Sequence, residues 1–375
     1  MPARRALDWV PGELGRLRSE GLERRVRTGR VEGSRITVGG RSLLNMCSND
    51  YLGLGGPPPG GGQMASSSRL LAGSSEEHRL LEDALASHKS HGAALVYPTG
   101  YMACMGALTA LAGEGDLVAS DALNHASIVD ACRLSRASVA VYAHNDPDDL
   151  REKLRRPARN RFVVCEGIFS MDGDYARLAE ISEAASGAGA ALVVDDAHGD
   201  FAVGPGGTGT PGELGVRADV YVSSLSKALG SFGGYVASDR DVIDLCASRS
   251  RQFVYTSALP APVASHALAR VGSDRSAAQA SLGRARSSLA SGLRSLGIDP
   301  GDTHIMPVRV GDERRAVDLA ARLEDGGVYA PAIRYPTVRR GAARLRFSAT
   351  GWMTGGDTDE AACALGRALG RAPDP

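Results

Sequence analysis

This 375-residue sequence predicts an α/β fold: a mostly parallel central sheet covered by helices, followed by a smaller α+β C-terminal domain. Three observations carry that expectation. Between Ser75 and Ser250, short apolar runs alternate with segments of helical spacing, the pattern of parallel strands buried on both faces. Beyond about Pro260 the composition shifts to Ala-, Arg- and Ser-rich helices. The chain also exceeds the ~250–300 residues at which a single core stops growing.

The elements follow in order. Residues 1–44 are rich in Arg and Glu, with a helix expected near Glu13–Arg27, and read as an N-terminal arm. "GGPPPGGG", Gly55 to Gly62, holds no regular structure and is a loop. "EEHRLLEDALASHKS" has helical spacing, and "AALVYPTGYMACMGALTALA" is a strand, a turn and a helix. Strands "DLVASD", "SVAVYAHND", "RFVVCEGIF", "ALVVDDAHG", "ADVYVSS" and "GGYVAS" come next, with helices "HASIVDACRLSR" and "YARLAEISEAASGAG" among them. These place a large domain at 45–259. The small domain, 260–375, contains strand-like "HIMPVRVGD" and "ARLRFSAT" around the helical "AVDLAARLED".

Hydrophobic and charged residues make up 43% and 23% of the chain, and the formal net charge is zero. No global field draws it to nucleic acid or to an anionic membrane. No stretch is apolar over a membrane-spanning length, and the N-terminus lacks the apolar run of a signal peptide. The six cysteines are scattered singly, without a C-x-x-C pair, which fits free thiols in a reducing cytoplasm. His88 and His91 lie three apart without a carboxylate or thiol companion, so no metal site is expected.

Ligands of parallel sheets bind at the carboxyl ends of the strands. The residues following the strands here are Thr99-Gly100-Tyr101 opening a helix, Asn124-His125, Ser170-Met171-Asp172, Asp195 to His198, and Ser224 to Lys227. Backbone N–H groups at a helix start favour a phosphate. "GPGGTG", Gly204 to Gly209, matches the dinucleotide pattern formally, but follows no strand and runs into Pro211.

Lysine is rare: Lys89, Lys153 and Lys227 are the only three among 43 basic residues. Lys89 and Lys153 sit in polar helical text and read as surface residues. Lys227 stands at a strand end, where an amine offers what a guanidinium does not: a nucleophilic lone pair that condenses with an aldehyde. A phosphate-ready helix start, an acid, a histidine and such a lysine together describe a site for pyridoxal 5'-phosphate.

Eight segments also occur in a familiar order: "SNDYLGL", "YPTGYMA", "LNHASIVDACRLS", "EGIFSMDGD", "VVDDAHG", "SLSKALGSFGG", "YTSALPAP" and "APAIRYPTV…ARLRFSAT". Together they resemble the α-oxoamine synthases, a family of fold-type I pyridoxal-phosphate transferases, over nearly the whole chain. The resemblance implies a homodimer with interface active sites. It implies that an amino acid condenses with an acyl thioester of coenzyme A or a carrier protein, alanine and a pimeloyl thioester being the expected pair. Lys227 is then the cofactor's lysine, Asp195 the partner of its ring nitrogen, and His198 and Ser170 the holders of its phenolic oxygen. His125 stacks on the ring, and Gly100, Tyr101 and Ser224 take the phosphate, with Ser257 reaching in from the partner subunit. Arg346, Arg24, Thr337 and Asn49 match substrate positions. Ser224 where threonine is common, Tyr335 in the family's R-P-P-T, Trp352-Met353 for Ala-His and the shortened segment near Gly55 leave the acyl donor open. A glycine C-acetyltransferase-like enzyme or a secondary-metabolite paralogue stays in contention; a non-catalytic protein retaining the fold is a further alternative.

Overall fold

The computed structural model describes residues 7, 9–56 and 67–371. Most of the expected loop at Gly55–Gly62 therefore lies outside the described residues. In chain order the strands are β1 (Gly29–Glu32), β2 (Arg35–Val38), β3 (Arg41–Asn45), β4 (Ala93–Tyr97), β5 (Leu117–Asp121), β6 (Ser138–Tyr142) and β7 (Arg161–Glu166). They continue with β8 (Ala191–Asp195), β9 (Val220–Ser224), β10 (Gly234–Ser238), β11 (Ile305–Gly311), β12 (Val328–Tyr329), β13 (Ala332–Ile333) and β14 (Ala343–Ser348).

The chain forms two compact units, Asn49–Leu282 and a second built from Met1–Ser48 with Gly283–Pro375. The first is organised by a seven-stranded sheet of order β4-β10-β9-β8-β7-β5-β6. β10 runs antiparallel to both its neighbours, and the remaining pairs are parallel. Both faces are buried, which is why its strands read as near-continuous apolar runs. Val164, Val193 and Val222 pack into a core on one face, whereas Val163, Cys165 and Val194 belong to a core on the other. Each fully buried Val or Leu contributes roughly 1.5–3 kcal/mol.

The unit boundaries differ from the sequence division at 44/45 and 259/260, for reasons visible in the pairing. β1, β2 and β3 form an antiparallel meander, and β3 pairs in parallel with β12, so the N-terminal segment is tied into a sheet with residues 328–329. The helix Ala261–Val271 packs on the helix Glu76–Lys89, which keeps it with the large sheet. In the second unit β14 is the centre of a three-stranded sheet, between β11 and β13, and the helix Glu313–Asp325 packs on it. The N-terminal helix spans Val10–Ser19 and stops ahead of Gly21, whose φ of +68° only glycine adopts cheaply.

Lys89 corrects a sequence expectation. It is not a surface residue: its side chain is 2% exposed and paired with Asp200. Lys153, on the helix Pro147–Leu154, bonds Asp149 at 2.9 Å near the surface.

Candidate active site

The carboxyl ends of the parallel strands enclose a cavity of about 200 Å³ lined by Thr99, Gly100, Tyr101, His125, Ser127, Glu166, Asp195, Ala197, His198, Ser224, Ser226 and Lys227. Seven of the residues expected to bind cofactor or substrate meet here, Gly100, Tyr101, His125, Asp195, His198, Ser224 and Lys227, with Thr99, Ala197 and Ser226 from the same strand ends.

One wall is the start of the helix Gly100–Leu111. Thr99 caps it, accepting from the Met102 N–H at 3.2 Å, and the first-turn N–H groups give this end its positive dipole. The helix can approach the sheet this closely because β10 begins with glycine. Gly234 pairs with Tyr97 on one side and Ser224 on the other, and a Cβ there would stand 2.4 Å from Gly100 Cα. Ser224 Oγ lies 2.8 Å from Ser226 Oγ beside this helix start, so two hydroxyls and the first-turn N–H groups converge on one end of the cavity.

His125 caps the next helix, Ala126–Ser135, with Nδ1 accepting from the Ser127 N–H at 3.2 Å and 2.8 Å from its hydroxyl. Burial pushes its pKa down; the Asp195 charge opposes this and Lys227 adds to it. The Tyr101 ring meets it edge-on, centroids 6.2 Å apart. Asp195 ends β8 with Oδ1 accepting from the Ala197 N–H at 3.1 Å. Burial raises its carboxyl, and Lys227 and His125 oppose the rise. The pocket thus places an acid, a half-buried lysine and an imidazole within mutual electrostatic reach.

His198 is held at Nδ1 by the Tyr51 hydroxyl at 2.6 Å, and Tyr51 donates to Asn49 Oδ1 at 3.0 Å. Asn49 is therefore coupled to the site through Tyr51. Ser170 is buried next to the cavity rather than in its lining, its N–H donating to Glu166 Oε2 at 3.1 Å. Ser257 is exposed and forms an isolated antiparallel bridge with Ser68. In the other unit, Arg24 donates to Thr337 Oγ1 at 3.0 Å, which joins two predicted substrate residues. Arg346 is buried on β14, opposite Pro307 of β11.

Sequence reasoning missed Glu166. It is fully buried, ends β7, and sits beside Asp195 in register. Burial pushes its carboxyl up to about 8, Asp195 adds to the rise, and the Ser170 N–H bond and the Lys227 charge oppose it. Among the described residues, its Oε1 has no hydrogen-bond partner. A lone acid closing the apolar run "RFVVCE" was the available signal. Ser127 and Tyr51 also escaped notice.

The donor set fits pyridoxal phosphate. Helix N–H groups and serine hydroxyls suit the phosphate, a buried carboxylate suits a protonated ring nitrogen, and Lys227 supplies the amine. The tight Gly234–Gly100 approach leaves a cradle that a single Cβ would fill.

A model of the aminotransferase class I and II family matches residues 41–365. The 8-amino-7-oxononanoate synthase of Anaeromyxobacter dehalogenans (strain 2CP-C) is 43% identical over 392 residues, 100% of this chain and 99% of that one. The enzyme of the same name from Geobacter metallireducens is 42% identical, covering 89% of this chain and 91% of the other. Among solved structures, serine palmitoyltransferase from S. paucimobilis with a bound PLP–myriocin aldimine superposes with a TM-score of 0.89 at 29% identity, over 98% of this chain and 100% of that one. The chain belongs to the aminotransferase class I and II family of fold-type I transferases and, within it, to the α-oxoamine synthases.

Proposed function

We propose that this chain is a pyridoxal-phosphate-dependent synthase that condenses L-alanine with a pimeloyl thioester, releasing carbon dioxide, free thiol and 8-amino-7-oxononanoate. One observation carries the reading: Lys227, Asp195, His125, His198, Ser224 and Gly100 converge on one cavity, in a chain 43% identical end to end to a synthase of that name.

When bound, the cofactor supplies an aldehyde that condenses with amines and a ring that draws electron density from the amino acid's Cα. The chain's own residues do the rest. The helix start at Gly100 and Tyr101, with the Ser224 hydroxyl, anchors the phosphate by dipole and hydrogen bonds. The Asp195 carboxylate holds a proton on the ring nitrogen through a charge-assisted bond in a desolvated site. His125 packs against the ring, and His198, fixed by Tyr51, orients the phenolic edge together with Ser170. The Lys227 amine removes the proton from the amino acid's Cα and returns one to the same carbon after carbon dioxide has left.

Arg346 receives the amino acid carboxylate, which a planar guanidinium grips with two parallel bonds. Arg24 and Thr337 meet the acyl donor. The protein works as a homodimer in the cytoplasm, in biotin synthesis, with Ser257 serving the partner subunit's site. Exposed apolar side chains, among them Leu71, Leu134 and Tyr255, suit burial against a second copy.

The test is a substrate panel. Purified protein is given alanine, glycine or serine with pimeloyl, acetyl or palmitoyl thioesters of coenzyme A or carrier protein, and thiol and carbon dioxide release are followed. Alanine with a pimeloyl thioester should give the highest kcat/KM; release only with another pair would reject this assignment.

A further inference from the structure

The turn following β8 has two working sides. Asp195, Ala197 and His198 line the cavity. Asp196 and Asp200 bond groups that do not. Asp196 Oδ2 accepts from the Thr210 N–H at 2.8 Å and from the Tyr221 hydroxyl at 2.7 Å. Asp200 Oδ2 accepts from the Tyr235 hydroxyl at 2.6 Å, and Asp200 also pairs with Lys89. Alternation along β9 puts Tyr221 on the face opposite Val222 and Ser224, so this second network backs the sheet face away from the cavity.

Lys89 is the hub. Its ammonium pairs with Asp200, donates to the Thr208 carbonyl at 3.0 Å and lies 4.5 Å from the Tyr221 ring centre. The glycine-rich "GPGGTG" segment closes the network over it. At Gly209, where φ is +86°, a Cβ would stand 2.1 Å from Asp196 Oδ2 and 2.6 Å from the Tyr221 hydroxyl. The segment that imitates a dinucleotide motif is therefore a lid of backbone over buried carboxylates. A buried ammonium is retained only against a large desolvation cost, and here it binds the end of one helix to the turn that carries three cavity residues.

We propose that Lys89 is a positioning residue for the reaction: through Asp200 it fixes the 195–200 turn from behind, so that Asp195 and His198 meet the cofactor at a set place. The inference rests on the cavity being a pyridoxal-phosphate site, which the visible absorbance of the wild-type holoprotein tests by itself.

Full-length wild type, Lys89→Met, Tyr235→Phe and the charge-paired Lys89→Met/Asp200→Asn double variant are compared. Three properties are measured: melting of the cofactor-free protein, pyridoxal-phosphate affinity by chromophore titration, and visible circular dichroism of the bound cofactor. Lys89→Met should weaken cofactor binding about tenfold or more, as loss of a supporting residue does, and reduce the dichroism. The double variant, freed of an unpaired buried carboxylate, should regain the wild-type melting temperature while keeping the weakened binding and altered dichroism. Tyr235→Phe, lacking one hydrogen bond, should weaken binding about threefold. Wild-type affinity and dichroism in the double variant would reduce Lys89 to a stabilising residue and overturn the proposal. So would wild-type behaviour of Tyr235→Phe. If Lys89→Met does not fold, the other two variants separate positioning from stabilisation in the same way. A wild-type protein without a chromophore would instead reject the cofactor reading.

Discussion

Two lysines lie in one compact unit under opposite conditions. Lys227 is half-buried in a polar cavity at the carboxyl ends of the strands. Lys89 is enclosed by Asp200, the Thr208 carbonyl and two aromatic rings. In the first region the amine lines a cavity together with an acid and an imidazole; in the second it is packed among groups that do not line that cavity. The same side chain thus borders a ligand-sized cavity in one place and a buried network in the other. Burial alone separates reactive from inert amines poorly; what the surroundings leave for a ligand separates them better.

The comparison is broken most directly at Lys227. Lys227→Ala should lower kcat by about 10⁴-fold or more in the thiol-release assay, because both proton transfers at Cα lose their carrier. The melting temperature should change little. If the variant kept a tenth of its activity, the cavity lysine would not be the reacting amine. The next largest effect belongs to the acid across from it. Asp195→Asn preserves shape but removes the charge, and should cost about 10²–10³-fold in kcat. The absorbance of the bound cofactor should shift as well.

A pH experiment sharpens the contrast between the two faces of the turn. Glu166 on the cavity side is pushed up to about 8, chiefly by burial, from an ordinary 4.5. A carboxyl raised on folding adds stability that is complete below its unfolded pKa and fades as pH climbs through the folded one. The cofactor-free protein should therefore lose melting temperature between about pH 4.5 and 8, and Glu166→Gln should flatten that slope. An identical slope in the variant would place the titration elsewhere. Asp196 on the network side is pushed up to about 7, again mainly by burial, and Asp196→Asn should flatten the lower part of the same range. The smallest effect is expected at Ser224→Thr, which keeps the hydroxyl beside the helix start. Cofactor affinity should stay within about twofold, since no hydrogen bond is lost.

Much of this architecture was legible because parallel strands buried on both sides leave unbroken apolar text. β7 and β8, "RFVVCE" and "ALVVD", could be placed from sequence, and with them the residues at their ends. The β1–β3 meander was not. β1 is exposed along its whole length, and β12, which ties the meander to the C-terminal segment, has two residues. Neither leaves a periodic signal. Lys89 was misread because its neighbours in sequence are polar and helical, whereas its partners, Asp200, Thr208 and Tyr221, come from more than a hundred positions away. Glu166 was missed for the opposite reason: the apolar run that contains it masked a single acid. Order along the strands singled out residues that line the cavity, but only the fold revealed what lies behind them.

Borohydride reduction of the yellow holoprotein, followed by digestion and mass spectrometry of the three lysine-bearing peptides, bears most directly on the distinction between the two amines. A pyridoxyl group on Lys227, with Lys89 and Lys153 unmodified, is the expected result. The group on either other lysine, or on none while the cofactor is bound, would contradict the account.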